Sequence, residues 1–190
     1  MILIGLTGNA HSGKDAVAEH LRRHHEFFRM AFADPLREGL KTMFGFGDWH
    51  FSEGKEEKVV WIGKSTRQLM QSLGTEWGRD LVDQDFWCRH MALRIRQRQG
   101  RSVVISDVRF LNEARLILDN GGQIWRISRT GAKTTAHCDH RSEQEQRRIV
   151  SHHDLINDGT LEQLFEKVDT IIDALFESMI DCRCAAKYYM

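Results

Sequence analysis

The first fifteen residues constrain the fold most, because an apolar run breaks into a glycine-framed turn and then a helix start. The apolar run covers residues 1–6. In such a turn, backbone N–H groups point inward at an anion, and the positive end of the helix dipole adds to the attraction. We therefore predict a phosphate-binding loop in which Lys14 reaches the β- and γ-phosphates of a nucleoside triphosphate. The predicted nucleotide-binding residues are Gly8, Asn9, Ala10, His11, Ser12, Gly13, Lys14, Asp15 and Ala16.

One position departs from the usual pattern of such loops. The residue after the lysine is normally Ser or Thr, whose hydroxyl binds Mg²⁺. Here it is Asp15, followed by Ala16. A carboxylate is also a good Mg²⁺ ligand, but it adds negative charge beside polyphosphate. Asp15 therefore either takes over metal binding or marks a weakened site, and the spacing argues for nucleotide binding without settling catalysis.

The composition fits one α/β domain. The chain has 190 residues, of which 41% are hydrophobic, and its formal net charge is zero. With zero net charge, the chain as a whole has no electrostatic attraction for nucleic acid or an anionic membrane. No apolar run approaches the length of a membrane span and no signal-peptide pattern precedes the first strand. We therefore expect a cytoplasmic protein.

Short apolar runs alternate with helical patterns, which indicates βαβ units and a parallel sheet. Five strands are predicted, at residues 2–6, 28–32, 102–106, 123–128 and 155–156. Asp34 before Pro35 predicts a helix with Asp34 as its N-cap. Ser65 and Gln68 have capping-box spacing at the start of another helix. A long apolar stripe predicts a final helix after Thr160.

A strand ending in a carboxylate supplies a second acidic group. Residues 103–106 are an apolar run that leads into Asp107. Open α/β sheets bind ligands at the C-terminal ends of their strands, so we expect Asp107 and the loop after Leu6 to meet. Asp107 would face the Mg²⁺-nucleotide, and Arg109 is placed to contact phosphate from the same edge. The alternatives are a helix cap for Asp107 and a surface ion pair for Arg109.

Two further polar segments predict phosphate contacts. The helix of residues 67–79 carries Arg67, Gln71 and Arg79 on its polar side. Gln can read a base edge, and Arg binds phosphate bidentately. Residues 129–153 are rich in basic side chains, and their place between the fourth and fifth strands favours a mobile lid that stabilises a moving phosphoryl group. A solvated helix face and an ordinary basic loop are the alternatives.

Taken in order, these motifs resemble those of the deoxynucleoside monophosphate kinases of tailed bacteriophages. The matching stretches are residues 5–8, 12–15, 32–36, 73–79, 106–113, 140–143 and 157–160. That family is similar in carrying Gly-Lys-Asp where other P-loop proteins have Gly-Lys-Ser or Gly-Lys-Thr. Its usual next residue is Thr, however, and Ala16 lacks that hydroxyl. If that Thr normally supports Mg²⁺, Asp15 or Ser12 must compensate.

The resemblance implies the fold of the P-loop nucleoside monophosphate kinases, a three-layer α/β/α arrangement with a five-stranded parallel sheet and a lid. It also implies transfer of the γ-phosphate of ATP to a deoxynucleoside monophosphate (dNMP), giving the diphosphate (dNDP) and ADP, with Mg²⁺ as cofactor. We expect one domain over residues 1–190. Within it we expect an insertion and monophosphate-binding region at 46–82, the lid at 129–153 and a tail at 181–190.

The expected roles divide the candidate residues into groups. The catalytic group is Lys14, Asp107, Arg129 and Arg141. The metal ligands are Asp15 and Asp107, and the acceptor site is Asp34, Arg67, Gln71, Arg79 and Arg109. Asn157 would lie near the adenine. No general base is needed, because the acceptor phosphate is already an anion.

Two other functions stay open from the sequence. Dephospho-coenzyme A kinases share a similar opening, so another small-molecule kinase of the same fold is one alternative. A nucleotide-binding module without catalysis is the other, favoured by Asp15 and Ala16. The expected partner is a small-molecule dNMP, in the host cytoplasm if the chain is phage-encoded. Exposed aromatics at 46–64 leave a homodimer open, and the motifs do not fix which dNMPs are accepted.

Overall fold

A parallel sheet forms the centre of the molecule. The computed structural model describes residues 1–98, 100–129 and 141–186. Its strands are β1 (Leu3–Thr7), β2 (Phe28–Met30), β3 (Lys58–Val59), β4 (Lys64–Ser65), β5 (Val103–Ile105), β6 (Gln123–Arg129) and β7 (His153–Asn157). Five of them pair in parallel in the order β2-β5-β1-β6-β7, while β3 and β4 form a small antiparallel hairpin. The predicted five-stranded parallel sheet is confirmed.

Helices connect the strands and cover both faces of the sheet. They are α1 (Lys14–His24), α2 (Asp34–Phe44), α3 (Thr66–Gln71), α4 (Phe86–Arg96), α5 (Leu111–Asp119), α6 (Arg141–Arg148) and α7 (Leu161–Ala186). None of the helices in the described part of the chain is both long and apolar enough to cross a bilayer. Because α7 continues to Ala186, residues 181–186 of the expected tail are helical. Residues 130–140 of the expected lid and the last four residues lie outside the described ranges.

The sheet separates two apolar cores. Successive strand residues point to opposite faces, so Val103 enters one core and Val104 the other. On one side α4 and α5 pack, with Ile117 fully buried. On the other side α1 and α7 pack, with Leu21 and Val168 fully buried. This is the predicted three-layer α/β/α architecture.

The segment predicted as one helix over residues 67–79 is two helices of different type. The helix α3 begins with the predicted capping box, in which the Ser65 N–H donates to Gln68 Oε1 at 2.9 Å and the Gln68 N–H donates to Ser65 Oγ at 3.3 Å. The chain then widens into a π-helix over Ser72–Val82. Short π segments are frequent at functional sites, and this one carries Arg79.

The N-cap prediction for Asp34 is wrong. Asp34 is the first residue of α2, and the capping position is Ala33, which makes no side-chain bond. The Asp34 carboxylate instead accepts the Ala31 N–H at 2.8 Å and pairs with the Arg94 guanidinium at 2.9 Å. The carboxylate therefore does not cap its own helix, because the Arg94 cation from α4 and a backbone N–H outside the helix bind it instead.

The topology brings two loops to one edge. β1 and β5 are parallel neighbours, with Gly5 opposite Ile105. The chain beyond each strand therefore emerges on the same side, and the Val108 N–H donates to the Leu6 carbonyl at 3.0 Å. The glycine-rich loop and Asp107 consequently face the same space, as the sequence predicts.

Candidate active site

The glycine-rich loop adopts a conformation that only glycine permits at two positions. Gly8 has φ of +138°, and a side chain there would collide with the Ile127 carbonyl of β6. Gly13 has φ of +109°, and a Cβ would lie 2.9 Å from the Asn157 amide nitrogen. Both positive φ values are accessible to glycine without the steric cost that a Cβ imposes. The loop can therefore turn back over the sheet edge and deliver Lys14 into its centre.

Lys14 is buried inside this loop. Its Nζ donates to the Gly8 carbonyl at 2.6 Å and to the Asn9 carbonyl at 2.5 Å, with Ser12 Oγ at 3.5 Å. Burial is the main reason, and the nearby charge of Arg109 the second, that the Lys14 pKa is lowered to about 8. The result is a poorly solvated ammonium held by neutral carbonyls, which an anion would bind strongly.

Asp107 lies close enough to Lys14 for its charge to oppose that fall in pKa. Its two carboxylate oxygens accept the Phe32 N–H at 2.7 Å and the Ala33 N–H at 2.9 Å. Burial raises the Asp107 pKa against the effect of these two bonds. Asp107 does not cap α5, which begins four residues later behind Phe110. Its carboxylate instead ties the end of β5 to the chain entering α2.

Asp15 and Asn157 flank the loop on different sides. The Asp15 carboxylate is exposed and pairs with the Arg29 guanidinium of β2 at 2.5 Å. Asn157, at the end of β7, is buried, and its Nδ2 donates to the Ser12 carbonyl at 3.0 Å. In this structure Asn157 therefore supports the backbone of the phosphate loop.

Arg79 forms a buried ion pair with a residue to which the sequence assigned no role. Its guanidinium donates to Glu113 Oε1 at 2.5 Å, and both side chains are almost completely buried. The Arg79 guanidinium carbon also lies 3.9 Å from the centre of the Phe110 ring. The other Glu113 oxygen accepts the N–H groups of Arg109 and Phe110 at 2.8 and 3.1 Å. Burial raises the Glu113 pKa to about 7 even beside this cation.

A basic cavity of about 360 Å³ opens beside this pair. Its walls include four arginines and one aromatic ring: Arg79, Arg115, Arg141, Arg148 and Phe110. Arg141, on α6, pairs with Asp80 at 3.2 Å and with Glu145 at 3.0 Å. The cavity therefore joins the π-helix, α5 and α6 in one positively charged hollow.

The remaining predicted residues are less closely grouped. Arg67 pairs with Glu56 at 2.9 Å and approaches Glu143 of α6 at 4.0 Å. Gln71 is half-buried at the end of α3, whereas Arg109 and Arg129 are exposed. Arg129 is the last residue of β6. Of these, the Arg109 charge acts on both Lys14 and Asp107.

Gln146 is a contact that sequence reasoning missed. Its Nε2, on α6, donates to the Gly8 carbonyl at 3.0 Å and reaches the Val108 carbonyl at 3.4 Å. It therefore links α6 to both loops that form the site. A glutamine in a charged helix gives no sequence signal, because its partners lie 138 and 38 residues away.

Comparison with known proteins identifies the family. The family model for deoxynucleotide monophosphate kinase matches residues 50–168. A protein of Acanthamoeba polyphaga mimivirus named for the same activity is 33% identical over 189 residues, covering 91% of this chain and 97% of its own length. The deoxynucleoside-5'-monophosphate kinase of Escherichia phage T5 is 32% identical over 111 residues, covering 56% of this chain and 44% of that longer protein.

Solved structures support the fold alone. The Thermus thermophilus protein TT1252 matches with a TM-score of 0.50 at 19% identity, covering 92% of this chain and 97% of that one. The sequence relatives carry the assignment beyond fold, because the mimivirus protein matches over almost its entire length. The chain therefore belongs to the deoxynucleotide monophosphate kinase family and is itself a kinase.

Proposed function

We propose that this kinase transfers the γ-phosphate of ATP to a dNMP, giving dNDP and ADP, where β1 and β5 end. The observation that carries the proposal is the poorly solvated Lys14 ammonium inside the glycine-rich loop, together with an arginine-lined cavity that α6 connects to this loop. The loop suits a triphosphate donor, and the cavity suits a monophosphate acceptor. Phosphoryl transfer between two nucleotides needs the two sites close together. The helix α6 connects them, because Gln146 contacts the loop while Arg141 and Arg148 line the cavity.

The donor half of the site fits a polyphosphate. Lys14 can exchange its bonds to the Gly8 and Asn9 carbonyls for bonds to phosphate oxygens, which are stronger because both partners are charged. Thr7, directly before the loop, has a buried hydroxyl with no hydrogen-bond partner among the described residues. Gln146 and Asn157 each hold a loop carbonyl in place. The loop is thus braced from α6 and from β7.

Asp107 and Asp15 are the residues we propose for Mg²⁺. Each Asp107 oxygen accepts one backbone N–H, which leaves lone pairs for a cation or its water, and oxygen ligands are those that Mg²⁺ prefers. A nearby cation would also offset the burial that raises the Asp107 pKa. Asp15 would have to leave Arg29 to take part. When bound, the ion neutralises charge on the donor phosphates.

Replacement of Asp15 tests its metal role. If Asp15 holds Mg²⁺, Asp15→Ala should raise the Mg²⁺ concentration for half-maximal activity by about tenfold, because a charged ligand is lost and no hydroxyl replaces it. Glu19→Gln, a partly exposed carboxylate one helical turn further along α1, is the control and should leave the titration unchanged. An Asp15→Ala titration that overlays the wild-type curve would remove Asp15 from the metal site.

The acceptor half is proposed at the basic cavity. Guanidinium groups bind phosphate bidentately, and Phe110 supplies an apolar face near them. Arg79 lines the cavity, and Arg109 belongs to the adjacent loop. Asp34, Arg67 and Gln71 stay acceptor candidates on the family resemblance. Of these, Asp34 and Arg67 hold other ion pairs in this structure.

Arg129 and Arg141 are proposed to act on the moving phosphoryl group. They lie at the two ends of residues 130–140, which are outside the described ranges. Phosphoryl transfer spreads negative charge over the transferred oxygens, and arginines stabilise that charge. The two arginines would thereby bind and orient the phosphoryl group and neutralise its charge. The acceptor phosphate needs no base to become a nucleophile. Proximity of Asn157 to the adenine stays a prediction.

The decisive experiment measures ADP formed from ATP and Mg²⁺ with each of the four dNMPs and dephospho-coenzyme A as separate acceptors. Turnover with at least one dNMP and none with dephospho-coenzyme A is the expected result. Turnover with dephospho-coenzyme A alone would replace the acceptor class. ATP binding by the folded protein without turnover for any acceptor would instead support a nucleotide-binding module.

A further inference from the structure

Three metal-ligating side chains converge at the end of α1 that is remote from the phosphate loop. His20 lies on α1, His25 directly follows the helix, and Asp169 comes from α7. Both imidazole Nε2 atoms lie 2.6 Å from the same oxygen, Asp169 Oδ1. The three ligand atoms all lie within 4.8 Å of one another. At 1.5 Å per residue, His20 is about 9 Å along α1 from Lys14, so this cluster is separate from the kinase site.

Independent contacts hold each of the three groups in place. The His20 ring stacks on the Phe165 ring, with centroids 4.2 Å apart and planes 5° apart. Phe165 and Asp169 are four residues apart on α7 and therefore share one helix face. The His25 N–H donates to the Leu21 carbonyl at 3.1 Å, which fixes His25 at the end of α1. The cluster is thus preorganised by stacking, helix periodicity and a backbone bond.

We propose that His20, His25 and Asp169 form a binding site for a divalent transition metal of the Zn²⁺ class. Two imidazole nitrogens and one carboxylate oxygen suit Zn²⁺ and Co²⁺, whereas Mg²⁺ prefers oxygen ligands alone. Ligands of a tetrahedral Zn²⁺ site lie about 2.0–2.2 Å from the ion, and hence about 3.4 Å from each other. Each Nε2–Oδ1 distance is now 2.6 Å, so side-chain rotations that lengthen it by less than about 1 Å would admit the ion.

The partial burial of the cluster limits the access of water to its ligand atoms. His20 and His25 keep only 9% and 15% of their side-chain surface exposed, while Asp169 keeps 40%. Water or a further ligand can therefore reach the fourth position from the Asp169 side. An ion here would join α1, which begins at Lys14, to α7 and would stabilise the contact between them.

Cobalt titration of the full chain tests the site. A Cys138→Ser background removes a thiol that stands between His137 and His140 in the sequence, and excess Mg²⁺ saturates oxygen-only sites. We expect one Co²⁺ per chain with visible d–d absorption, displacement by Zn²⁺, and a Zn²⁺-dependent rise in melting temperature. His25→Gln and Asp169→Asn should each weaken binding by about tenfold or more.

Matched variants separate the site from adventitious binding. Asp173→Asn replaces an exposed carboxylate one turn further along α7 and should bind Co²⁺ like the parent. Kinase turnover reports whether each variant is folded, and if Asp169→Asn fails to fold, His25→Gln decides. Absence of one-to-one binding in the folded parent would overturn the site, leaving a hydrogen-bonded clamp. Equal affinities of the folded ligand variants and Asp173→Asn would overturn it too.

Discussion

At the scale of single residues, Lys14 concentrates the chemistry of the donor site. The ammonium is buried and donates to two carbonyls of its own loop. A bound phosphate would be the first negatively charged group to accept its hydrogen bonds, since those within the described residues go to neutral oxygens. Lys14→Ala should lower kcat/KM by about 10²–10³ or more, because a positioned charge on the transition state is lost. Steady-state kinetics with saturating Mg²⁺ would measure the loss.

The control for Lys14→Ala lies on the same helix. Arg23→Ala removes an exposed cation from the other end of α1 and should leave kcat/KM unchanged. Circular dichroism should show both variants folded, because neither Lys14 nor Arg23 belongs to the two apolar cores. Near-normal turnover by Lys14→Ala would refute the phosphate-loop assignment.

The lowered pKa of Lys14 predicts a pH limit on activity. Free enzyme carries a charged Lys14 below about pH 8 and a neutral one above it. The kcat/KM profile reports groups of the free enzyme, so it should fall as pH rises through about 8.

The same lowered pKa makes stability change with pH in the opposite direction to activity. Between pH 8 and the ordinary value of 10.5 the unfolded chain binds more protons, so this residue makes the free energy of unfolding rise with pH.

Comparison with Lys14→Met separates the contribution of Lys14 to the pH dependence of stability from that of other groups that titrate in the same pH range. The variant should lack the Lys14 part of the rise in unfolding free energy, measured by denaturant titration at several pH values. If the wild-type kcat/KM profile stays flat to pH 9.5, the ammonium is not as poorly solvated as its surroundings indicate.

Residue-level prediction from sequence succeeds where the signal is local. The glycines, Lys14 and the capping box at Ser65 each act within a few positions of chain, so spacing alone identifies them. Glu113 binds the Arg79 side chain 34 residues away, and Gln146 binds the Gly8 carbonyl 138 residues away. A pattern of residues along the chain does not show which distant groups the fold will bring together.

At the scale of elements, the Arg79–Glu113 pair joins the π-helix to α5. Removing one member of a buried ion pair leaves an uncompensated charge and costs about 3–5 kcal/mol. Arg79→Met and Glu113→Gln should therefore each lower the free energy of unfolding by about that amount. The double variant should recover much of the loss, since neither charge then remains. Urea denaturation would measure all three.

Activity measurements on the Arg79 and Glu113 variants separate loss of stability from loss of acceptor binding. The double variant should regain stability without regaining turnover, because Arg79 also lines the proposed acceptor cavity. Loss of the exposed Arg115–Asp119 pair, 3.6 Å apart on α5, should not change stability measurably and serves as the control. Strict additivity of the Arg79 and Glu113 effects would mean that the two groups do not interact energetically.

Element boundaries were predictable to different degrees. Strands β1 and β5 are continuous apolar runs because both of their faces are buried, and that pattern is direct evidence for central parallel strands. The π-helix was not foreseen, because its apolar spacing does not distinguish it from an α-helix over so few turns. Asp34 was misread since an N-cap signal cannot reveal a competing cation such as Arg94.

At the scale of the whole molecule, nucleotide binding should stabilise the fold. A ligand at one hundred times its Kd adds about 2.7 kcal/mol, which corresponds to a rise in melting temperature of about 5–10 °C for a chain of this size. A non-hydrolysable ATP analogue with Mg²⁺ should produce this shift by thermal denaturation. Lys14→Ala should lose most of it. An equal shift in that variant would place the nucleotide elsewhere.

The overall architecture was predictable because one strand-to-helix unit determines much of it. A phosphate loop requires a buried central strand before it and a helix after it, and the alternating runs supply the rest of the sheet. Side-chain clusters that depend on two distant helices were not predictable. His20 and Asp169 are 149 positions apart and meet only because α1 and α7 share one face of the sheet.

Glu113 has a consequence for how this protein can change over generations. One of its oxygens holds the side chain of Arg79, and the other holds the backbone of Arg109 and Phe110. A single exchange at Glu113 therefore disturbs two arginines at once, so most such exchanges would be eliminated by selection. Lineages that lose this acid should also have replaced Arg79, and the two positions should covary as a linked pair.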